Sequence, residues 1–115
     1  MRLLMLGDIV GQAGVERVCQ LLPSYRRKEG IDFVIANGEN SAQGNGILPH
    51  SADNLFDAGC DVITTGNHGL RRREIYSYMD ECPYLLRPAN YHPSAPGRGF
   101  TIIDRPPLRV LVINL

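Results

Sequence analysis

The sequence is short of the features that mark several large classes of protein. It has no tryptophan, and its three cysteines, Cys19, Cys60 and Cys82, are odd in number and show no C-x-x-C spacing. This cysteine usage argues against a disulfide framework and a zinc knuckle, and it predicts a reducing, cytoplasmic environment. No apolar run approaches the roughly 20 residues that a membrane-spanning helix needs, so we expect no membrane partner.

An excess of charge of either sign is also missing. Twelve basic residues balance twelve acidic residues, and the formal net charge at pH 7 is zero. Proteins that bind nucleic acid usually carry a basic surplus, so this composition gives no strong nucleic-acid signature. A small anionic substrate is compatible with the balance, and self-association into a homo-oligomer stays open. The 115 residues and the apolar fraction of 43% predict one globular domain at most.

Three short apolar runs, each followed by glycine and then by polar side chains, organise the sequence. Each run is predicted to be a buried strand that ends at the glycine. The strand ends are Gly7-Asp8 after Leu3–Leu6, Gly38-Glu39-Asn40 after Phe33–Ala36, and Gly66-Asn67-His68 after Val62–Thr65. The carboxyl ends of parallel strands share one edge of an open sheet, which is where ligands bind. We therefore expect Asp8, Glu39, Asn40, Asn67 and His68 to converge.

Helical patterns between these strands predict an α/β fold. After a glycine-bearing turn at 9–14, a first helix is expected to run to Lys28 and to bend or break at Pro23. The other predicted elements are a strand at 31–37, a helix between Pro49 and Gly59, a strand at 61–65, a helix at 72–79, a short strand at 84–86, a loop at 87–99 and an antiparallel hairpin of 100–103 with 108–113. Alternating strands and helices favour a parallel sheet with right-handed crossovers, and the hairpin is expected to make it a mixed sheet.

The side chains at the three strand ends suit a metal site that acts on a phosphate group. An aspartate just past a strand, such as Asp8, binds a metal, orients a water or caps the next helix. Glu39 and Asn40 place a carboxylate beside an amide oxygen, although an Asx-type turn with a solvated glutamate fits the same triplet. Asn67 offers a neutral oxygen, and His68 suits proton donation or contact with a phosphate oxygen. Two ions about 3.5 to 4 Å apart would use such ligands to promote attack on phosphorus.

Several other features admit more than one interpretation. The glycines near the N-terminus are spaced GxxxGxxG instead of GxGxxG, which weakens the hypothesis of a Rossmann-type cofactor domain. Arg71 opens a run of three arginines that fits a solvated surface. Cations at a helix start oppose its dipole, so Arg71 is also a candidate contact to substrate phosphate. His50 and His92 have no ligand partner at a useful spacing.

The chain carries a combination of motifs, spread over its whole length, that is typical of one protein family. The motifs are Met5–Gly11, Asn37–Ala42 with Gly44 and Gly46, Thr65–His68, Arg87–Tyr91 and Pro96–Gly99. Together they resemble the YmdB family of calcineurin-like metallophosphoesterases, whose distinctive Gly-Glu-Asn triplet stands intact at residues 38–40. The chain departs from the family's common pattern after the Gly-Asn-His triplet, where Gly69-Leu70-Arg71 replaces Thr-Trp-Asp.

The resemblance implies a four-layered α/β/β/α metallophosphoesterase sandwich, of which the N-terminal half is present. It also implies a dinuclear centre of two divalent or trivalent ions, iron or manganese, that hydrolyses phosphodiesters such as 2′,3′-cyclic nucleotides through metal-bound hydroxide. By position, Asp8 and Asn40 would bind one ion, Asn67 the other, and Glu39 would bridge them. His68 would contact the phosphate, as a transition-state stabiliser or as proton donor to the leaving oxygen.

The final run, Leu108–Ile113, is predicted to be a buried strand near which the chain stops at Leu115. Members of the resembling family are longer, and the resemblance implies three further metal-binding histidines in the absent half. We therefore expect residues 1–115 to be the N-terminal part of a single domain that binds metal weakly and turns over little by itself. The parent protein is predicted to be a metal-dependent phosphodiesterase. The alternative is a non-catalytic nucleotide-binding or regulatory α/β domain.

Overall fold

The computed structural model, which describes residues 1–115, is an α/β fold of five strands and three α-helices. The strands are β1 (Leu3–Leu6), β2 (Phe33–Asn37), β3 (Val62–Thr64), β4 (Phe100–Arg105) and β5 (Leu108–Ile113). The helices are α1 (Gly11–Lys28), α2 (Pro49–Ala58) and α3 (Tyr76–Glu81), and a 3₁₀ turn at Arg73–Ile75 leads into α3. None of the helices is long and apolar enough to cross a membrane.

β1, β2 and β3 form a parallel sheet in the order in which they occur in the chain. In its register Met5 lies opposite Ile35, and Ile35 lies opposite Val62. Right-handed crossovers between consecutive neighbours put both connections on the same face of the sheet, and α1 and α2 pack against each other there. The carboxyl ends of the three strands consequently open on one edge, as the sequence predicts.

β4 and β5 form an antiparallel hairpin that is a sheet of its own, instead of extending the parallel sheet as expected. The hairpin packs face to face on the parallel sheet, because Val112 shares a buried cluster with Phe33 and Val62. β2 is therefore apolar on both faces, since Val34 and Ala36 belong to the cluster under the helices. The layers are helices, parallel sheet and hairpin sheet, which confirms the predicted α/β class with parallel and antiparallel strands.

The first helix starts earlier than its pattern predicts. Residues 11–14 form its first turn, and Gly14 lets that turn pack on Ile9, because a Cβ at Gly14 would stand 3.3 Å from Ile9 Cγ2. The helix also continues through Pro23 without interruption. Burial of Leu22 beside the proline keeps this stretch in the core, so the lost backbone hydrogen bond does not break the helix.

Three predictions for the second half of the chain are wrong in detail. The segment 84–86 forms isolated bridges instead of a strand. Pro83 and Pro88 bracket the segment and remove two amide donors, so the pairing cannot extend. The helix expected at 72–79 begins as a 3₁₀ turn and continues to Glu81. The antiparallel hairpin itself is confirmed, but its second strand is not buried as predicted: within it only Val112 is buried and Val110 half-buried, because one face of the hairpin is exposed.

Asp61, directly before β3, joins the three layers. Its carboxylate accepts hydrogen bonds from Arg105 Nη2 at 2.7 Å and from the Val34 backbone N–H at 2.8 Å. It also lies 3.1 Å from Nη1 of Arg26 in α1. The Asp61 side chain is only 11% exposed, so water cannot easily replace these partners.

Replacing Asp61 by alanine is expected to lower the free energy of unfolding by about 2 kcal/mol, because two arginines and one amide lose their acceptor. The matched control is Asp104→Ala, which removes a pair with Arg109 in which both side chains are more than two-thirds exposed. That control should change stability by less than about 0.5 kcal/mol. Urea unfolding of the two variants measures the difference, and equal losses would contradict the assignment.

Cys60 makes stability depend on pH in the alkaline range. Burial raises the pKa of its thiol from the ordinary 9.0 to about 12, and the Asp61 carboxylate and Cys19 add to the shift while Arg26 opposes it. The folded chain therefore disfavours the thiolate more than the unfolded chain does. Below pH 9 this group leaves the unfolding free energy unchanged, and from pH 9 to about 12 the free energy falls as the unfolded thiol ionises.

The alkaline decline is expected to be shallower in the variant Cys60→Ala than in the wild type, because alanine cannot ionise. Urea midpoints measured at several pH values between about 8 and 11 test this through the slope, so the loss of packing at the site does not interfere. Parallel slopes would show that Cys60 does not contribute.

Candidate metal centre

Backbone hydrogen bonds tie the three strand ends into one edge. The Ile9 N–H donates to Asn37 O at 3.0 Å, and the Gly38 N–H donates to Thr64 O at 3.0 Å. These bonds continue the sheet past β1 and β2, so the residues that follow each strand are held at the same level. The sheet therefore fixes the backbone of the residues that carry the polar side chains of this edge.

Asp8, Asn40 and His68 form a chain of hydrogen bonds across this edge. Asn40 Nδ2 donates to Asp8 Oδ1 at 2.7 Å, and Asn40 Oδ1 lies 2.5 Å from His68 Nδ1. The N–H groups of Gly11 and Gly44 both donate to the Asn40 backbone oxygen at 2.9 Å, which fixes the residue in the centre. Three of the predicted site residues are thus brought together, as the sequence predicts.

These hydrogen bonds also determine which nitrogen of His68 carries a proton. The Asp8 carboxylate only accepts hydrogen bonds, so the NH₂ group of Asn40 faces Asp8 and its oxygen faces His68. The proton of the His68–Asn40 bond therefore lies on Nδ1. Nε2 of His68 makes no hydrogen bond within the protein and is left for a substrate atom.

Asp8 is held in a backbone conformation that few non-glycine residues adopt. Its φ is +37°, which lies in the left-handed region. Aspartate tolerates this region better than most residues do, and such strain is concentrated at functional sites. The conformation turns the Asp8 carboxylate toward Asn40, with Oδ1 in the hydrogen bond and Oδ2 free.

The Glu39 carboxylate lies against the backbone of the third strand end. Its Oε2 accepts the His68 backbone N–H at 2.9 Å. A Cβ at Gly66 would stand 2.7 Å from Glu39 Oε1 and 2.9 Å from Oε2. Only glycine at position 66 leaves room for the carboxylate, so the Gly-Asn-His turn and the Gly-Glu-Asn triplet are fitted to each other.

Asn37 belongs to this site, and the sequence reasoning gave it no role. Its Oδ1 is buried and has no hydrogen-bond partner, while its Nδ2 makes a long contact of 3.5 Å to Glu39 Oε1. A buried acceptor without a donor is uncommon. The signal available in the sequence was its place at the very end of β2, one residue before the Gly-Glu-Asn triplet.

Two predicted site residues stand apart from this network. The Asn67 side chain is exposed and makes no hydrogen bond, although its neighbour His68 is part of the chain. The Arg71 side chain is likewise exposed and has no partner. Arg72, which the sequence reasoning grouped with a solvated surface, is instead fixed on the loop after Asn40, where its Nε donates to Asn45 O at 2.8 Å.

Tyr91 supports the edge from the long loop at 87–99. Its hydroxyl donates to Gly66 O at 3.2 Å, beside the place where Gly66 meets Glu39. Asn114, just after β5, donates from Nδ2 to Thr65 O at 2.7 Å. Both contacts hold the end of β3, and neither could be predicted from local patterns because the partners are far apart in sequence.

The donor atoms at this edge fit a hard cation. Nowhere in the chain do three His, Cys, Asp or Glu side chains gather as a metal cluster. The edge offers two carboxylates, Asp8 and Glu39, and the amide oxygens of Asn37 and Asn40. Such oxygen donors suit Mn²⁺ and similar ions, and the unsatisfied Asn37 oxygen is an acceptor that a cation or a water would complete. The set is small for two ions, each of which commonly takes six ligands.

Comparison with known proteins places the chain in a family. The YmdB-like protein family matches residues 4–115, which is nearly the whole sequence. The chain belongs to the YmdB-like protein family. This confirms the resemblance that the motifs carry, whereas the roles of individual residues stay predictions.

Relatives in the family share both sequence and fold with this chain. A protein of Bacillus subtilis named 2′,3′-cyclic-nucleotide 2′-phosphodiesterase is 39% identical over 115 residues, which cover 100% of this chain and 44% of the relative. A hypothetical protein from Thermus thermophilus superposes with a TM-score of 0.90 at 37% identity, covering 98% of this chain and 44% of that one. A phosphatase from Mycoplasma pneumoniae gives 0.88 at 29% identity, covering 96% and 41%. The chain thus spans less than half the length of these relatives.

Proposed function

We propose that this chain supplies part of the active site of a metal-dependent phosphodiesterase that hydrolyses phosphodiesters such as 2′,3′-cyclic nucleotides. The observation that carries the proposal is the hydrogen-bonded chain of Asp8, Asn40 and His68 at the edge of the parallel sheet. The name of the Bacillus subtilis relative supports the reaction class, because the identity of 39% extends over the whole chain.

The protein's own oxygens would hold the metal ions. Asp8 and Asn40 would bind one ion, Asn67 the other, and Glu39 would lie between them, with iron or manganese as the expected metals. When bound, such ions activate water and neutralise charge on phosphate oxygens. The Asn40 and Asp8 oxygens that take part in these hydrogen bonds each keep a second lone pair. The hydrogen bonds and metal binding are therefore compatible.

His68 would contact the phosphate group through Nε2. Asn40 keeps the Nδ1 proton in place, so the ring is held in one orientation, and Nε2 has no partner within the protein. With both ring nitrogens protonated, His68 would give its Nε2 proton to the leaving oxygen of the phosphodiester. That oxygen would depart as an alcohol, and the imidazole would be left neutral with its proton on Nδ1. The Glu39 contact to the His68 backbone N–H holds the same residue from its main chain.

A non-catalytic domain that binds nucleotides or regulates another protein is the second candidate. The observation in its favour is that no cluster of three His, Cys, Asp or Glu side chains is present. A binding module would keep the edge of the sheet for phosphate recognition without turnover.

We also propose a cytoplasmic location, for which the three unpaired cysteines give support.

A fusion protein, called the joined protein below, tests the catalytic proposal. The chain is fused to the part of the Bacillus subtilis relative that lies outside the matched region, and hydrolysis of 2′,3′-cyclic AMP is measured with Mn²⁺. The outer face of the β4–β5 hairpin offers an apolar surface for this partner segment, because its four large side chains are each more than half exposed: Phe100, Ile102, Leu111 and Ile113. Turnover by the joined protein and little by the chain alone is expected. A folded joined protein without turnover would favour the binding module.

In the joined protein, His68→Ala is expected to reduce turnover by about a hundredfold, because the group that protonates the leaving oxygen is lost. The matched control is His92→Ala, since His92 is exposed and bonds only within its own loop to Ser94. That control should leave turnover unchanged. If both variants retain full activity, His68 does not act on the substrate.

A further inference from the structure

A second concave site lies between the starts of α1 and α2, beside the loop that follows Asn40. We call it the α1–α2 cavity; its volume is about 360 Å³. Its walls come from Gln12 of α1, residues 41–43 of the loop, Arg72, and three residues at the start of α2, which are Leu48, His50 and Ser51. No aspartate or glutamate lines it, so nothing in its wall would repel an anion.

The starts of the two helices place free backbone donors at residues that line this cavity. The first N–H groups of an α-helix have no partner within the helix, and they carry the positive end of its dipole. Neither Val10 nor Leu48, the residues at the two N-caps, supplies a capping hydrogen bond, and neither helix has an acidic residue in its first turn. The N–H groups of Gln12, His50 and Ser51 are therefore unsatisfied at residues that line the cavity.

Ser51 gives an independent indication that a ligand belongs in the cavity. The residue is only 1% exposed and lines the cavity wall, yet its hydroxyl has no hydrogen-bond partner in the protein. The other buried serine, Ser41, donates to Gly38 O at 2.7 Å. A hydroxyl on a residue this buried normally has a partner in the protein. The Ser51 hydroxyl has none and lies on the cavity wall, so it is free to bond an occupant.

Arg72 adds a fixed positive charge at the rim. Its Nε and Nη2 donate to the carbonyl oxygens of Asn45 and Ala42, at 2.8 and 3.3 Å, and it takes part in none of the ion pairs of the chain. The side chain also packs on Gly46, where a Cβ would stand 2.8 Å from Arg72 Cγ. The guanidinium is thus held beside the cavity without a counter-ion, which favours an anionic ligand.

We propose that the α1–α2 cavity binds a phosphate group, as a site separate from the candidate metal centre. Two helix starts, the unpartnered hydroxyl of a buried serine and an uncompensated guanidinium together supply several donors and positive charge, the combination that binds tetrahedral oxyanions. The phosphate is either free inorganic phosphate or a phosphate carried by a nucleotide. The site uses no metal, so it stands independently of the phosphodiesterase proposal.

Amide chemical shifts of the 115-residue chain test the proposal directly. Inorganic phosphate is titrated in the presence of EDTA and at constant ionic strength, with sodium chloride as the reference anion. Saturable shifts at the amides of Gln12, His50 and Ser51 are expected with phosphate. Equal responses to phosphate and chloride, or no saturation, would overturn the proposal. Adenosine 3′-monophosphate identifies the source, because tighter binding than inorganic phosphate assigns the group to a nucleotide and equal binding assigns it to free phosphate.

Variants distinguish specific phosphate binding in the cavity from general attraction between charges. Ser51→Asp places a carboxylate in the cavity and should weaken phosphate binding at least about tenfold, whereas Ser77→Asp adds the same charge at an exposed position of α3 and should not. If Ser51→Asp does not fold, Arg72→Gln provides a second test. Its control is Arg73→Gln, which removes the same charge from an exposed neighbouring residue. Unchanged phosphate affinity in a folded Ser51→Asp or in Arg72→Gln would overturn the proposal.

Discussion

Replacing Gly66 by alanine is expected to lower the phosphodiesterase turnover of the joined protein by about a thousandfold. The new Cβ would stand 2.7 Å from Glu39 Oε1 and 2.9 Å from Oε2, so the Glu39 carboxylate would have to leave its place. It would also release the His68 backbone N–H that it now accepts. One methyl group would thus disturb the carboxylate proposed to lie between the ions and the histidine proposed to contact the phosphate.

The matched control for this variant is Gly7→Ala. Gly7 also follows a strand of the sheet and precedes a candidate ligand, Asp8, but no atom lies within 4 Å of a Cβ placed there. Turnover of 2′,3′-cyclic AMP with Mn²⁺ and calorimetric titration of Mn²⁺ are compared for both variants, and circular dichroism checks that both are folded. Wild-type turnover in folded Gly66→Ala would show that the position of Glu39 is irrelevant to the reaction.

Replacing Gly99 by alanine is expected to lower the free energy of unfolding by about 3 kcal/mol or more and the melting temperature by more than about 10 °C. A Cβ at Gly99 would overlap the Cα and Cβ atoms of Ala89 and stand 2.6 Å from the Ala89 backbone nitrogen. These are backbone and near-backbone atoms, so no side-chain rotation relieves the overlap.

The overlap at Gly99 would also reach the site, because two hydrogen bonds meet there. The Ala89 N–H donates to Asn114 O at 2.7 Å, and the Asn114 N–H donates to Gly99 O at 2.9 Å. Asn114 in turn bonds Thr65 O at the end of β3. Thermal and urea unfolding measure the loss, with Gly7→Ala again as the control that should remain close to the wild type. A stable Gly99→Ala chain would mean that the loop at 87–99 moves without cost.

The general position of the site was predictable from the sequence, because it depends on strand order alone. Apolar runs that end in glycine and a polar residue predicted three parallel strand ends, and parallel strands bring such ends to one edge. Asp8, Asn40 and His68 meet there accordingly. The left-handed φ of Asp8 gave no sequence signal, since aspartate occupies that conformation only where the surrounding turn demands it.

The rest of the site depends on contacts that local patterns do not encode. Asn67 is exposed while its neighbour His68 is held, a difference that arises from the turn that contains both and not from their residue types. The free oxygen of Asn37 and the Tyr91 contact to Gly66 O follow from register and from a long loop. The sequence predicts a solvated surface for Arg72, because in a run of three arginines no periodic pattern shows which one is held against the protein.

The central strand β2 restricts how this protein can change through evolution. Phe33 faces the hairpin cluster, Val34 and Ala36 face the helices, and Asn37 leads directly into the edge that carries the candidate metal centre. A substitution in this strand therefore meets a filled layer whichever way its side chain points, and a change in its length would shift Glu39 and Asn40 relative to both neighbours. Sequence drift that preserves the fold is left to the exposed side of α1, so new specificities are most easily acquired without altering β2.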